Sequence, residues 1–171
     1  VFKAVPDTVF FSELDPKAYN FIAFCAIASM IYGNVVAIQQ RNIKRMLAYS
    51  SIAHSGYLLL GIISGPEGYM AVIFYLLVYG LMTLGAFGVI SMVETKDFGT
   101  KLSDWQGLGK RQPIIGAAMA IFMFSLAGLP PLGGFIGKYL VFGAAIKASA
   151  AADNRLLILA IGGILTSVVG A

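Results

Sequence analysis

Between Gln112 and Ile146 the sequence carries one formal charge, the amine of Lys138. Just before it, in SLAGLPPLGGFIGKYLVF (125–142), lie Gly128, Pro130, Pro131, Gly133 and Gly134, a cluster that disfavours continuous helix. The single histidine, His54, has a comparable setting, nine residues after Arg45 and ten before Ser64. An amine and an imidazole in apolar sequence can each take up and release a proton, the chemistry of an intramembrane relay. Tyr79 and Thr83, four residues apart, would offer hydroxyls on one helix face. Tyr49, Ser50 and Ser51 offer others near His54. Lys44 is a further pathway candidate, although lysines at a helix mouth also mark membrane topology.

Composition says which elements must position these groups. The chain is 58% hydrophobic and 12% charged, where soluble domains are about a quarter charged. Several apolar runs exceed the roughly 20 residues needed to cross a bilayer, and none alternates as a barrel strand would. The expected fold is therefore an all-α polytopic membrane protein. Residues 1–16 read as an interfacial segment and 17–171 as the membrane domain. Helices are expected at about 17–40, 46–64 and 69–94, then a broken segment at 113–147 and a truncated helix at 155–171. The start on Val1 and the short final run suggest an internal piece of a longer protein.

Charge sets the orientation. The 40–45 and 95–112 loops share a side and hold Arg41, Lys44, Arg45, Lys96, Lys101, Lys110 and Arg111. The other side holds Lys3, Lys17, Lys147 and Arg155. This excess places the first two loops in the cytoplasm.

Length explains the Gly/Pro cluster. Segment 113–147 as one helix would span about 52 Å, against a hydrocarbon core of about 30 Å. A simple proline kink or a true break into two half-helices both fit Pro130-Pro131. Depth favours the break: Lys138 lies about 13 Å along a helix from Lys147, near mid-membrane, where a lysine costs at least about 2.5–3.5 kcal/mol. It must face a polar interior, either as a relay or in a structural ion pair. His54 is open to both a relay role and a hydrogen-bonded place in the core.

Other chemistries fall away. Cys25 is the only cysteine, so no internal disulfide or paired-cysteine metal motif exists. GGFIGKY lacks the first glycine and the Ser/Thr of a phosphate loop, and AHSG lacks the frame of a nucleophile elbow. No nucleotide, haem, iron–sulfur or flavin signature appears, and no cofactor is expected on this chain. The basic loops are topology signals rather than a nucleic-acid surface, and the bilayer is the expected surrounding. Gly61…Gly65 and Gly133…Gly137 have the spacing of close helix packing.

Four stretches in order, QRNIKRMLAYSSIAHSGYLLLGI (40–62), LMTLGAFGVISMVE (81–94), LSDWQGLGKRQP (102–113) and FSLAGLPPLGGFIGKYLVF (124–142), resemble the subunit N family of bacterial respiratory complex I. This is the proton-translocating NADH:quinone oxidoreductase, whose mitochondrial and chloroplast counterpart is subunit 2. The resemblance implies an antiporter-like bundle of 14 helices in two inverted five-helix repeats. This chain is similar to helices 9 to 13, the second repeat, with one discontinuous helix bearing a mid-membrane lysine at Lys138. A glutamate usually stands there in the M-type sibling. L-type relatives carry two histidines and a lysine where this chain has Tyr75, Tyr79 and Thr83. The resemblance further implies other membrane-arm subunits as partners, antiporter-like neighbours among them, and a bacterial cytoplasmic membrane. NADH, FMN, iron–sulfur clusters and quinone would belong to other subunits. Multisubunit Na⁺/H⁺ antiporters and membrane-bound hydrogenases share the architecture, and a non-conducting structural subunit is the remaining alternative.

Overall fold

The computed structural model describes residues 15–94, 99–151 and 154–170. Most of the expected interfacial segment, 1–16, lies outside the described residues, as do 95–98 of the second basic loop.

Caps decide where the helices begin. Asp15 accepts a hydrogen bond from the Lys17 N–H at 3.1 Å, and Pro16 fills the first position of α1 (Pro16–Ile38). Asn42 caps α2 (Ile43–Ile63), accepting from the N–H groups of Lys44 and Arg45. α3 (Pro66–Val93) again opens on a proline, after Gly65 at φ 82°. Apolar runs alone place these starts at 17, 46 and 69, because helix N-termini are polar and precede the hydrophobic stretch. Gly65 is therefore a turn residue with open space around it. Gly61 keeps the packing role expected of it, with its carbonyl directly against Gly68 of α3.

These three helices are long and apolar enough to cross a membrane. A 3₁₀ turn (Leu102–Trp105) and a short α4 (Leu108–Arg111) then shape a loop that the sequence reading leaves without structure. The two basic loops are tied together. Ile43 N–H donates to the Thr100 carbonyl at 2.9 Å, Leu102 N–H to the Arg41 carbonyl at 2.9 Å, and the Asn42 amide to the Thr100 hydroxyl at 2.6 Å. Both loops thus lie at one end of the bundle, where Lys44 also pairs with Glu94.

The long segment does break. α5 (Pro113–Ala127) ends at Gly128, whose φ of 91° only glycine adopts readily. The Gly128 N–H donates to the carbonyls of Phe124 and Ser125, and the Leu129 N–H to Phe124, which is a Schellman cap. α6 (Gly133–Ala151) starts after the bend and runs toward α7 (Asn154–Val169). One free N–H of its first turn, that of Gly134, donates to the Ser125 hydroxyl at 3.2 Å, stitching the two helix ends together. A Cβ on Gly134 would sit 1.8 Å from the Ser125 carbonyl oxygen, so only glycine permits this approach.

α5 and α6 serve different halves of the bundle. α5 joins one apolar cluster through Met119 and Leu126, with Ile43 and Leu47 of α2 and Met82–Val93 positions of α3. α6 joins the other through Val141, Phe142 and Ala145, with Tyr57 and Leu60 of α2 and Ala71 and Tyr75 of α3. Along α2 the seam between the clusters falls between Leu47 and Ala53, and along α3 between Tyr75 and Met82. α1 lies along α2, and α7 closes against α1 and α6.

Gly134→Ala tests the stitched break. In detergent-solubilised full-length protein it is expected to destabilise by about 1–3 kcal/mol, as overpacking does, lowering the thermal midpoint. Gly80→Ala on α3, where nothing lies within 4 Å, should leave the midpoint nearly unchanged. Equal midpoints for both variants would contradict the close approach.

Candidate functional site

The polar residues of the bundle gather at the seam. Lys138, one turn into α6, is 8% exposed and turns back toward the end of α5. Its Nζ donates to the carbonyls of Leu126 at 3.1 Å and Ala127 at 3.0 Å, and to the Ser167 hydroxyl on α7 at 2.9 Å. An ammonium has three N–H donors, and all are engaged. The two carbonyls lack i+4 helical partners because α5 stops there, and they carry the negative end of its dipole. Beneath the amine lies the Tyr57 ring, 5.5 Å from Nζ to the centroid, in cation–π range. The Tyr57 hydroxyl in turn accepts from the Asn34 amide of α1 at 2.9 Å.

His54 is 3% exposed and surrounded by tyrosines. Its Nδ1 is hydrogen-bonded with the Tyr75 hydroxyl, which of the two donates depending on the imidazole tautomer. Tyr79 stacks on the imidazole at 4.6 Å, and Tyr57 meets it edge-on at 5.6 Å. Lys138 and His54 both line one cavity of about 390 Å³, with Asn34, Ser50, Tyr57 and Ser167. Lys138, Ala127 and Ser167 also line a larger, apolar cavity of about 1130 Å³ on the other side, which reaches the Lys147–Glu67 ion pair. The lysine therefore belongs to the partition between the two spaces.

The expected site residues divide accordingly. Lys138, His54 and Tyr79 come together, and Ser50 joins them. Gly128, Pro130, Pro131, Gly133 and Gly134 lie in or beside the break. The Thr83 hydroxyl is buried without a hydrogen-bond partner among the described residues, one turn beyond Tyr79. Lys44 stands apart, in its ion pair with Glu94 at the loop end. Tyr49 and Ser51 do not join the layer: Tyr49 packs edge-on against Tyr32, and the Ser51 hydroxyl donates back to Ala48.

Sequence reasoning passes over Tyr57, Tyr75, Asn34, Ser125 and Ser167 as site members. Helical spacing signals the first two, since Tyr57 follows His54 by three and Tyr75 precedes Tyr79 by four. Asn34 is visible as an amide in an apolar helix. Ser125 and Ser167 carry no such signal, because serine is common in packed membrane helices.

The family model described as NADH:quinone oxidoreductase/Mrp antiporter, TM, matches residues 4–167. The chain is 48% identical to NADH-quinone oxidoreductase subunit N 1 of Chloroherpeton thalassium, over 86% of this chain and 30% of that protein. It is likewise 48% identical to subunit N of Chlorobium chlorochromatii, over 99% and 33%. Its fold matches a chain of respiratory complex I from Thermus thermophilus with bound aureothin at a TM-score of 0.76 and 39% identity, covering 89% of this chain and 33% of that one. A chain of the Mrp complex from a Dietzia species matches at 0.72 and 29% identity, covering 88% and 29%. The chain thus spans about a third of the length of the curated relatives it matches. A family match spanning residues 4–167 makes this chain a member of the NADH:quinone oxidoreductase/Mrp antiporter transmembrane family.

Proposed function

We propose that this chain is the second five-helix repeat of an N-type membrane subunit of NADH:quinone oxidoreductase, and that it moves protons along an intramembrane polar axis. The observation that carries the reading is Lys138: a buried amine held by the carbonyls of a broken helix, with a cavity on either side. Such an amine can give up its proton when a neighbouring charge moves, because its partners are dipoles and not a fixed carboxylate. Protonation of His54 beside the shared cavity would repel the ammonium, and loss of that charge would draw it back.

In this reading the proton passes from the His54–Tyr75–Tyr79 cluster to Lys138, then toward Glu67 and Lys147. Lys44 with Glu94 stands at the loop end as an entry group, and Thr83 with Tyr79 lies between that end and His54. The loops at 40–45 and 95–112 face the cytoplasm of a bacterium, and the Lys147 end faces the other compartment. Quinone reduction elsewhere in the complex supplies the energy, with NADH, FMN, iron–sulfur clusters and quinone held by other subunits. Membrane-arm subunits, antiporter-like ones among them, are the neighbours.

Likeness to the Mrp complex supports a second reading, cation/proton antiport. The chemistry of the seam weighs toward protons. Its buried polar set among the described residues comprises an amine, an imidazole, an amide and hydroxyls, without a carboxylate. A sodium site calls for several hard oxygen ligands, carboxylate often among them, and an ammonium in its midst would oppose the ion.

Lys138→Met in the full-length, assembled complex should leave assembly intact while quinone-coupled proton release falls by about tenfold or more, the scale of removing a positioned proton-transfer group. Wild-type pumping per electron in a fully assembled variant would refute the relay. Tyr75→Phe, which removes only the hydroxyl on His54, should slow pumping by a smaller factor and lower stability by no more than about 1–2 kcal/mol. Loss of assembly in both variants, with residual complex pumping normally, would instead favour a structural subunit.

A further inference from the structure

Apart from the seam, the loop end holds a cleft of about 610 Å³ lined by Gln40, Arg41, Asn42, Arg45, Lys101 and Leu102, with Ser103 at its edge. Three cations converge there from stretches some 60 residues apart in sequence. Backbone bonds between Arg41 and Leu102 and between Ile43 and Thr100, with the Asn42–Thr100 side-chain bond, hold them in register. A charge that only marks topology has no need of such fixed convergence. Lys44, the neighbour of Arg45, has its own carboxylate in Glu94. Arg41, Arg45 and Lys101 have no ion-pair partner among the described residues; Asp104, whose carboxylate accepts from the Lys101 N–H and the Ser103 hydroxyl, does not itself line the cleft. Like charges gathered in one cleft repel, and an anion between them relieves that repulsion.

The surroundings say which anion. The cleft sits where α1 ends and α2 begins, both of membrane-crossing length, which is headgroup depth. Below it, Ile31, Val35 and Ile38 form an exposed apolar stripe along one face of α1, at 48%, 45% and 56% exposure. Leu102, also exposed, lies on the cleft wall. Cations above an apolar track are complementary to an amphiphile with an anionic head. Arginine adds paired N–H donors that match two phosphate oxygens at once. We propose that this cleft binds the phosphate headgroup of an anionic phospholipid, its acyl chains lying along α1. The headgroup cleft shares no lining residue with the cavity of Lys138 and His54, which Ile38 of the stripe borders, and it does not depend on which ion that axis carries.

Photoreactive phosphatidylglycerol, titrated into the full-length protein in its assembled complex in mild detergent, tests the proposal. Adducts mapped by mass spectrometry should fall in 31–45 and 99–105. Each removed charge should weaken labelling there about fivefold, on the order of a hundredfold for R41Q/R45Q/K101Q together. R41K/R45K should retain most of it, and photoreactive phosphatidylcholine should label the cleft weakly. If the triple variant fails to accumulate, Lys101→Gln alone, on an exposed loop, should still show its fivefold loss. Equal labelling of wild type and variants overturns the site. Complete competition by millimolar inorganic phosphate assigns it to the free anion and overturns the lipid reading. Loss of a neighbouring subunit from the variant complex, with lipid labelling unchanged, assigns the cleft to an acidic protein surface and overturns it too.

Discussion

A helix that ends inside a membrane leaves its last carbonyls without water, and everything at the seam follows from how they are satisfied. Ending α5 at Ala127 strands the carbonyls of Leu126 and Ala127, and the Lys138 ammonium fills that role. Each side solves the other's problem: the carbonyls give a buried cation its partners, and the cation gives buried acceptors their donors. Gly128 makes the turn possible, Gly134 allows the ends to approach, and Ser125 takes one free N–H of the first turn of α6. Restore a continuous helix and the lysine loses its ligands. Remove the lysine and the last two carbonyls of α5 lose their donor.

The break also explains the division of the core. Because α5 and α6 pack against different stretches of α2 and α3, the bundle holds two apolar clusters with a polar layer between them. Ser50 lies in that gap on α2 and Tyr79 on α3, while His54 stands at its edge, directly after Ala53. Tyrosine suits such a layer. Its ring packs as core while its hydroxyl bonds to the neighbour that needs it. Tyr57 shows both uses, with its ring under Lys138 and its hydroxyl on Asn34.

Much of this was legible in the sequence where the signal is a sum over many residues. Apolar length revealed the crossings, and Gly/Pro density with segment length revealed the break. Start positions were less legible because caps are single residues: Pro16, Pro66 and Pro113 each open a helix ahead of or at the edge of its apolar run. At the site, titratable residues in apolar runs stood out because they are costly there, so Lys138 and His54 were visible. Their partners were not. Two of the lysine's ligands are backbone carbonyls, which have no letter in the sequence, and the third is a serine 29 residues away. Hydroxyls near His54 in sequence proved unequal, since a helix turns Ser51 and Tyr49 off the face that His54 and Tyr57 share.

Residue type alone does not distinguish the cations of this chain; their partners do. Lys44 and Lys147 each meet a carboxylate at a partly exposed position, where an ion pair contributes at most about 1 kcal/mol and is screened by salt. Those pairs lie at the two ends of the bundle, away from the seam. Lys138 meets only dipoles in a buried setting, where its interaction with any nearby change of charge is strong. A carboxylate in place of those carbonyls would hold the proton on the amine more firmly. Among the described residues no acid is buried at the seam, and the broken helix supplies Lys138 with polar ligands without supplying a charge.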